Sequence, residues 1–154
     1  PTPATPPRTS PAVQANEYWK QVGEDRLPKP RPHIAPGYML AGKTAYLEGN
    51  TAMTDRFDHP TPLGPLTIDA KSQLFVDWGD GGGVQGPFDN TGGPWPHGTI
   101  THYWTNAGRY DIVVTQRWTA TWHLSGSSGE LSELATVGRI EDFEVRQLQA
   151  VRNR

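Results

Sequence analysis

The sequence predicts an all-β protein that carries one short helix near its beginning. Segments in which apolar and polar residues alternate recur at intervals of about ten residues, with turn-forming residues between them. Glycine (17) and proline (15) are abundant, and six tryptophans supply large side chains to a chain with 34% hydrophobic residues. This combination is typical of short strands joined by many turns in a sandwich or barrel, and it argues against a helix bundle.

Residues 1–37 predict a proline-rich tether that contains the helix. The prolines of the opening PTPATPPRTSP fix backbone angles and lack amide donors, which is typical of a polyproline-like stalk. Ser10 followed by Pro11 is a helix-start pattern, and Gly23 is a natural stop, so the helix is expected at about 11–22. Its apolar stripe consists of Ala12, Ala15, Trp19 and Val22. The stripe is expected to dock on the protein's own sheet, with a partner protein as the alternative.

The folded part is expected to cover residues 38–154, after a second proline-rich stretch, RLPKPRPHIAPG, which predicts a linker. MLAGKTAYLEG predicts a first strand, GPLTIDA a second and QLFVDWG a third. NTAMTDRFDHPTP, between the first two, predicts a connection. In the third strand, Leu74, Val76 and Trp78 share one face.

The second half of the chain begins with a long predicted loop, DGGGVQGPFDNTGGPWPHG, which is too rich in glycine and proline for a central strand. TITHYW predicts a short strand. RYDIVVTQRWTATWHL has the clearest alternation in the chain, and Gln116 is the one polar residue on its apolar face. IEDFEVRQLQAV predicts a last strand with mixed faces, which favours an edge position.

Composition excludes several classes of function. Lysine and arginine number 14 against 16 acidic residues, a net charge of −2 with no long basic run, so nucleic acid is not an expected partner. The chain has no cysteine, which excludes disulfides, thiol nucleophiles and thiolate metal sites. No apolar stretch is long enough to span a bilayer. The chain begins with Pro1, which fits a secreted protein after removal of its signal peptide.

Two linked patterns resemble those of the PKD domain, an immunoglobulin-like β-sandwich. FVDWGDG is similar to its W-D-F-G-D-G pattern, with Val76 in place of tryptophan and Trp78 in place of phenylalanine. ITHYWTNAGRYDIVVTQ is similar to its H-x-Y-x-x-x-G-x-Y-x-V pattern, with Trp104 in place of tyrosine. The resemblance covers residues 62–116, roughly a third of the chain. The extension RWTATWHLSGSSGELSELATVGRIEDFEVRQLQAV lies outside these patterns and looks like a group of uncharacterised secreted or surface-associated proteins of high-GC bacteria.

The resemblance implies an antiparallel immunoglobulin-like sandwich and an extracellular or cell-surface location. PKD domains generally serve as spacers or binding modules. In the first pattern the resemblance implies that Trp78 anchors the core, that Gly79 and Gly81 permit unusual backbone angles, and that Asp80 holds the turn. In the second it implies structural roles for His102, Trp104, Gly108 and Tyr110.

Two groups of residues are candidates for binding. A calcium site is one hypothesis, because calcium prefers several oxygen ligands and loops supply them. Its candidate ligands are Asp77, Asp80, Asp89 and Asn90. The second candidate is Trp95, a loop tryptophan in GGPWPHG that could stack on a sugar or fill a partner's pocket, with Phe88 and Tyr103 extending the same platform.

The expected function is therefore non-catalytic. The sequence has no G-x-S-x-G elbow, and its paired carboxylates are more simply solvated charge. We expect a secreted or surface module that mediates protein–protein interaction or self-assembly, with no cofactor other than the possible calcium ion. The alternative is a carbohydrate-binding accessory domain, which uses loop aromatics on a polysaccharide.

Overall fold

The computed structural model describes residues 10–147. Within them, one helix and eight strands form: α1 (Pro11–Arg26), β1 (Tyr38–Leu40), β2 (Ala45–Tyr46), β3 (Thr54–Thr61), β4 (Gly64–Asp77), β5 (Val84–Phe88), β6 (Thr101–His102), β7 (Gly108–Leu124) and β8 (Ser127–Arg146). The predominance of strands confirms the predicted all-β class. The predicted stalk at residues 1–9 and the last four residues of the predicted C-terminal strand lie outside the described residues.

Six strands hydrogen-bond in one sheet, in the order β1-β8-β7-β4-β3, with β5 also paired to β4; β2 and β6 form a separate pair. The residues divide into two compact units. Unit 1 contains α1, β3 and residues 64–71 and 118–134; unit 2 contains residues 28–53, 72–117 and 135–147 of the described chain. β4, β7 and β8 contribute residues to both units. Among the described residues, no helix has the length and apolar character needed to cross a membrane.

The helix of unit 1 begins where the sequence predicts. Ser10 precedes it, and its hydroxyl oxygen accepts a hydrogen bond from the Val13 amide at 3.2 Å, while Pro11 occupies the first turn. The predicted stop at Gly23 is wrong, because the helix continues to Arg26. Gly23 instead lies where the helix touches the sheet, and a Cβ there would collide with the side chain of Leu134.

The helix docks on the protein's own sheet, as expected. Trp19 is fully buried, its ring meets Phe57 edge-on at 6.2 Å, and its indole nitrogen donates to the Ser132 carbonyl oxygen at 2.7 Å. Tyr18 is also buried and stacks on His59, whereas Ala12 of the predicted stripe is exposed. The core of unit 1 also includes Leu66, Ile68, Ala70, Trp118, Ala120, Trp122, Leu124 and Leu131.

Two predictions for residues 51–79 are wrong. The predicted connection before GPLTIDA contains β3, which pairs residue by residue with β4 from Thr54 opposite Lys71 to Thr61 opposite Gly64. Backbone hydrogen bonds to β4 form this strand, since Phe57 is its one buried residue. β3 lies at the edge of the sheet, where a proline such as Pro60 is tolerated. The predicted second and third strands are one continuous strand, β4.

In unit 2 the predicted first strand is interrupted. β1 and β2 are separated by a turn at Gly42, whose φ of +82° suits glycine. β1 pairs with β8 in parallel, with Tyr38 opposite Glu144, whereas the sequence predicts antiparallel pairing throughout. The predicted edge position of the last strand is also wrong, since β8 lies between β1 and β7. β5 forms inside the predicted long loop by pairing with the end of β4.

The core of unit 2 follows the predicted alternation. Leu74, Val76 and Trp78 are buried on one face, and the part of β7 in unit 2 buries every second residue from Ile112 to Gln116. The alternation continues to Leu124 in the part of β7 that belongs to unit 1. Gln116 is fully buried, and its amide is satisfied. Its nitrogen donates to the Ala52 carbonyl oxygen and the Ser72 hydroxyl, and its oxygen accepts from the Thr51 hydroxyl, all at 2.8 Å.

The second proline-rich stretch forms no named strand; Arg26 and Leu27 belong to unit 1, and residues 28–37 pack within unit 2. The Arg31 amide donates to the Gly49 carbonyl oxygen at 2.8 Å, and His33 forms a β-bridge with Glu48. Pro30 is buried, and a Cβ at Gly138 would collide with the Pro30 carbonyl oxygen. The small residue at position 138 therefore makes room for a proline-rich segment.

Candidate functional site

The WGDG stretch forms a tight corner after β4 in unit 2. Gly79 has a φ of +78°, and a Cβ there would collide with the Asp111 carbonyl oxygen of β7. The Gly79 amide donates to Asp77 Oδ1 at 2.9 Å, and the Gly82 amide donates to Asp80 Oδ1 at 3.1 Å. Gly81, with a φ of +81°, has open space around it. The two glycines therefore serve different purposes, since both supply a backbone angle but Gly79 also permits a close strand approach.

Asp80 and His102 form a close polar pair at the corner. Asp80 Oδ2 and His102 Nε2 lie 2.7 Å apart, and the side chains are 24% and 16% exposed, respectively. Partial burial raises the pKa of Asp80, but the Gly82 amide and the His102 ring outweigh it, so the pKa lies below the ordinary aspartate value. Asp80 therefore stabilises the turn and also fixes the position of the His102 imidazole.

An aromatic cluster continues from His102 into the core. The His102 ring stacks on Trp78 at 4.7 Å with an interplanar angle of 8°, and Trp104 meets both rings edge-on. The Trp104 indole nitrogen donates to the Trp78 carbonyl oxygen at 3.2 Å. The Tyr110 hydroxyl donates to the Asn106 carbonyl oxygen at 2.6 Å, and Gly108 is the first residue of β7. The residues singled out by the sequence pattern thus lie together around two buried tryptophans.

The four candidate calcium ligands are engaged in separate hydrogen bonds. Besides the bonds to Asp77 and Asp80, Asp89 accepts from the Gln73 amide at 2.7 Å, and Asn90 accepts from the Gly92 amide and the Thr99 hydroxyl. Within residues 10–147, no three His, Asp or Glu side chains are grouped in a way that could hold a metal ion. The structure therefore does not gather the three aspartates, and calcium binding stays a prediction.

Trp95 is the most exposed of the large apolar side chains described, at 74%. It borders a groove of about 400 Å³, which we call the Trp95 groove; its lining includes Trp95, Tyr38, Tyr46, Met39, Leu40 and Lys43. The groove thus combines three aromatic rings with aliphatic side chains and one cation. This composition suits an apolar ligand with a defined shape.

Tyr103 is 59% exposed and borders a second groove of about 430 Å³, the Tyr103 groove. Its lining consists of Tyr103, His102, Gln85, Thr101, Thr105 and Thr44. Thr44 also lines the Trp95 groove, so the two grooves adjoin within unit 2. Phe88 lines neither groove, since it is half-buried and packs against the core. Of the three predicted platform residues, two therefore lie in adjoining grooves and the third lies elsewhere.

Sequence reasoning missed three groove residues, Tyr38, Met39 and Tyr46. Met39 and Tyr46 fall in the predicted first strand, MLAGKTAYLEG, and Tyr38 directly precedes it. Around the turn at Gly42 and the parallel pairing of β1 with β8, all three line the groove beside Trp95, where Tyr38 and Tyr46 are half-buried and Met39 is buried. The sequence signal that could have identified them is the pair of tyrosines, Tyr38 and Tyr46, on either side of Gly42.

Comparisons with protein-family models, with curated proteins and with solved structures find no match to this chain.

Proposed function

We propose that this chain is a non-catalytic binding module of the PKD-like, immunoglobulin-like type, which acts outside the cell and binds a protein partner or another copy of itself. The two sequence patterns and the extracellular setting of the family they resemble support the fold type and the location. The observation that carries the binding function is the Trp95 groove, because an exposed tryptophan beside two tyrosines is costly to leave in water unless it contacts something.

The non-catalytic part of the proposal rests on the Asp80–His102 pair, the described arrangement that comes nearest to an acid–base couple. One Asp80 oxygen is bonded to the Gly82 amide and the other to the imidazole. The imidazole is stacked on Trp78. These contacts stabilise the corner after β4, so the pair has a structural role.

Selection from a random displayed-peptide library on the intact chain tests the protein-binding function. We expect selected peptides to lose affinity about tenfold or more in Trp95→Ala, since central aromatic residues of an interface commonly contribute that much. Tyr103→Ala is the matched control, an exposed aromatic residue outside the groove, and should bind within about twofold of the unmodified chain. Failure to select any binder, or binding that is indifferent to Trp95→Ala, would contradict the proposal.

A second candidate function is carbohydrate binding at the Tyr103 groove. The supporting observation is an exposed aromatic ring among three threonines and a glutamine, because sugars stack on rings and bond to hydroxyl and amide groups. A glycan array probed with the intact chain tests it. Binding that is lost in Tyr103→Ala and kept in Trp95→Ala would support this function, and the absence of any bound glycan would remove it.

A further inference from the structure

We propose that β3 is a self-association surface, at which two copies of this chain pair their β3 strands antiparallel about a two-fold axis at Phe57. The strand belongs to unit 1 and the Trp95 groove to unit 2, so the inference goes beyond the proposed function and does not rest on it. β3 is the last strand in the sheet order, and within residues 10–147 only β4 pairs with it. Such an edge strand presents backbone groups that another strand can bind.

Two prolines in the ladder of β3 and β4 show which backbone groups of β3 are directed away from β4. In an antiparallel ladder, pairs of opposite residues that exchange both backbone hydrogen bonds alternate with pairs that exchange none. Pro60 lies opposite Pro65, and neither has an amide hydrogen, so this pair exchanges none. The alternation therefore directs the backbone groups of Thr54, Arg56 and Asp58 to the free edge.

Two observed hydrogen bonds agree with this alternation. The Ser72 amide donates to the Met53 carbonyl oxygen at 2.9 Å, so the position next to Thr54 does bond across to the following strand. The Arg56 amide donates to Asp55 Oδ1 at 2.8 Å, which places it outside the ladder with β4. In the single chain Asp55 thus covers one outward amide, and pairing would exchange this contact for a backbone carbonyl group of the second copy.

The charges of β3 are complementary to those of a second, antiparallel β3. Pairing centred on Phe57 places Arg56 of each copy opposite Asp58 of the other, and opposite charges facing each other across strands are favourable. Their side chains are 65% and 70% exposed, and within one chain they lie 3.8 Å apart, at the long end of an ion pair. Asp55 would similarly face His59 of the second copy.

Like charges disfavour the two nearest registers. The outward backbone groups of both strands meet again only after a shift of the pairing by two residues. One such shift places the two Arg56 residues opposite each other, and the other does so with the two Asp58 residues. The pattern therefore specifies one register and a second copy of this chain as the partner.

The helix leaves this edge accessible. Gly23 of α1 lies against Leu134 of β8, which is three places from β3 in the sheet order. Long side chains span the remaining distance, since Tyr18 stacks on His59 and the Arg26 guanidinium lies 5.3 Å from the centroid of the Phe57 ring. The helix axis is thus set back from the edge at which the second copy would pair.

Charge exchange in the full chain tests the inference. We expect the wild type to dimerise with a dissociation constant of roughly 0.1 mM, because the interface is small. Arg56→Asp and Asp58→Arg should each weaken self-association at least about tenfold, since each then places like charges opposite each other. An equimolar mixture of the two variants should associate as the wild type does, because every aspartate again faces an arginine. Sedimentation velocity up to about 1 mM protein measures all of these.

Two controls separate register and site from general charge effects. Lys20→Asp and Glu17→Arg make similar charge changes at exposed positions of α1 and should associate as the wild type does. Since the chain has no cysteine, a mixture of Asp55→Cys and His59→Cys under oxidised glutathione should form a disulfide-linked dimer faster than either variant alone.

A wild type that stays monomeric at about 1 mM would overturn the inference. So would single charge variants that associate as the wild type does, or a mixture of the two that does not associate. Association lost in Trp95→Ala but kept in Arg56→Asp would contradict pairing at β3 and assign self-association to the groove. If β3 pairing fails while library peptides still bind in a Trp95-dependent way, the proposed function stands.

Discussion

Trp19 in unit 1 and Trp78 in unit 2 are buried by different means. In unit 1, Trp19 is covered by the regular packing of a helix on strands, and its one side-chain hydrogen bond goes to a backbone carbonyl group. In unit 2, Trp78 stacks on His102, which is held by Asp80, and the Trp78 indole nitrogen donates to the Gln85 side chain at 3.0 Å. The first core thus depends on buried apolar area, and the second also depends on the placement of turns and polar groups.

The two cores should therefore respond differently to substitutions and to pH. Apolar packing is insensitive to pH and tolerates little loss of volume. A core fixed by hydrogen bonds and a tight corner responds to small changes in backbone angle, to the loss of one polar partner and to acid. Single substitutions therefore distinguish the two cores.

The largest effect is expected for Trp19→Ala in unit 1. Removal of a fully buried tryptophan leaves a cavity under the helix and an unpaired Ser132 carbonyl group, so the free energy of unfolding should fall by about 3–5 kcal/mol. Urea denaturation measures the loss. Val13→Ala, on the exposed side of the same helix, is the control and should change the value by less than about 0.5 kcal/mol. A loss below about 1 kcal/mol for Trp19→Ala would contradict helix docking.

The second largest effect is expected for Gly79→Ala in unit 2. Its comparison with Gly81→Ala separates the cost of a positive φ from the cost of a close contact with the β7 backbone. Gly79→Ala should lower the free energy of unfolding by about 3 kcal/mol, because it combines a strained angle with a collision against the Asp111 backbone. Gly81→Ala is the matched control, with nearly the same φ but open space, and should cost about 1 kcal/mol. Chemical denaturation of both variants gives the comparison, and equal losses would show that the contact with β7 contributes nothing.

Gln116→Leu tests the buried polar network of unit 2. Leucine has a similar volume but leaves the Ala52 carbonyl group and the Thr51 hydroxyl without this partner, so we expect a loss of about 2 kcal/mol in the free energy of unfolding. Gln73→Leu removes an exposed hydrogen bond to Asp89 and should cost less than about 0.5 kcal/mol. A Gln116→Leu protein as stable as the wild type would mean that apolar packing suffices here too.

The elements that the sequence predicted are those in which side-chain periodicity and burial coincide. β7 and the start of α1 are the clearest cases, because neighbouring residues specify both. Alternating apolar residues predict β7, and a serine followed by proline predicts the start of α1. β3 and β5 were missed because they bury almost nothing and form through backbone pairing with β4. Local sequence carries little information about such pairing.

The same limit applies to the candidate site. The corner and His102 could be anticipated because the two sequence patterns state which residues belong together, and Trp95 because it lies in a glycine- and proline-rich loop. Tyr38 could not, since β1, which carries it to the groove, pairs in parallel with a strand more than a hundred positions later in the chain. Long-range pairing of this kind leaves no periodic trace in the sequence.

A smaller and pH-dependent effect is expected at Asp80. The pKa of Asp80 is lower in the folded protein than its ordinary value of 3.8, so its contribution to stability is complete above that value and is lost as the pH falls below it. Asp80→Asn should therefore cost about 1 kcal/mol at pH 7, and the difference from wild type should shrink below pH 3.8. Urea denaturation across this range measures it.

A double-mutant cycle with His102→Phe sharpens this test, because phenylalanine keeps a ring beside Trp78 but removes the partner of Asp80. Asp80→Asn should cost less in that background than in the wild type. Equal costs in both backgrounds would show that the Gly82 amide, and not the imidazole, accounts for the role of Asp80.

The smallest effect on stability is expected for Trp95→Ala, although Trp95 is as large as the tryptophans in the two cores. Its ring is 74% exposed, so its removal takes little apolar area out of the folded protein and should change the free energy of unfolding by less than about 0.5 kcal/mol. Urea denaturation beside Trp19→Ala gives the contrast. A loss near that of Trp19→Ala would make Trp95 a structural residue, whereas an unchanged midpoint leaves its exposed ring free for a ligand.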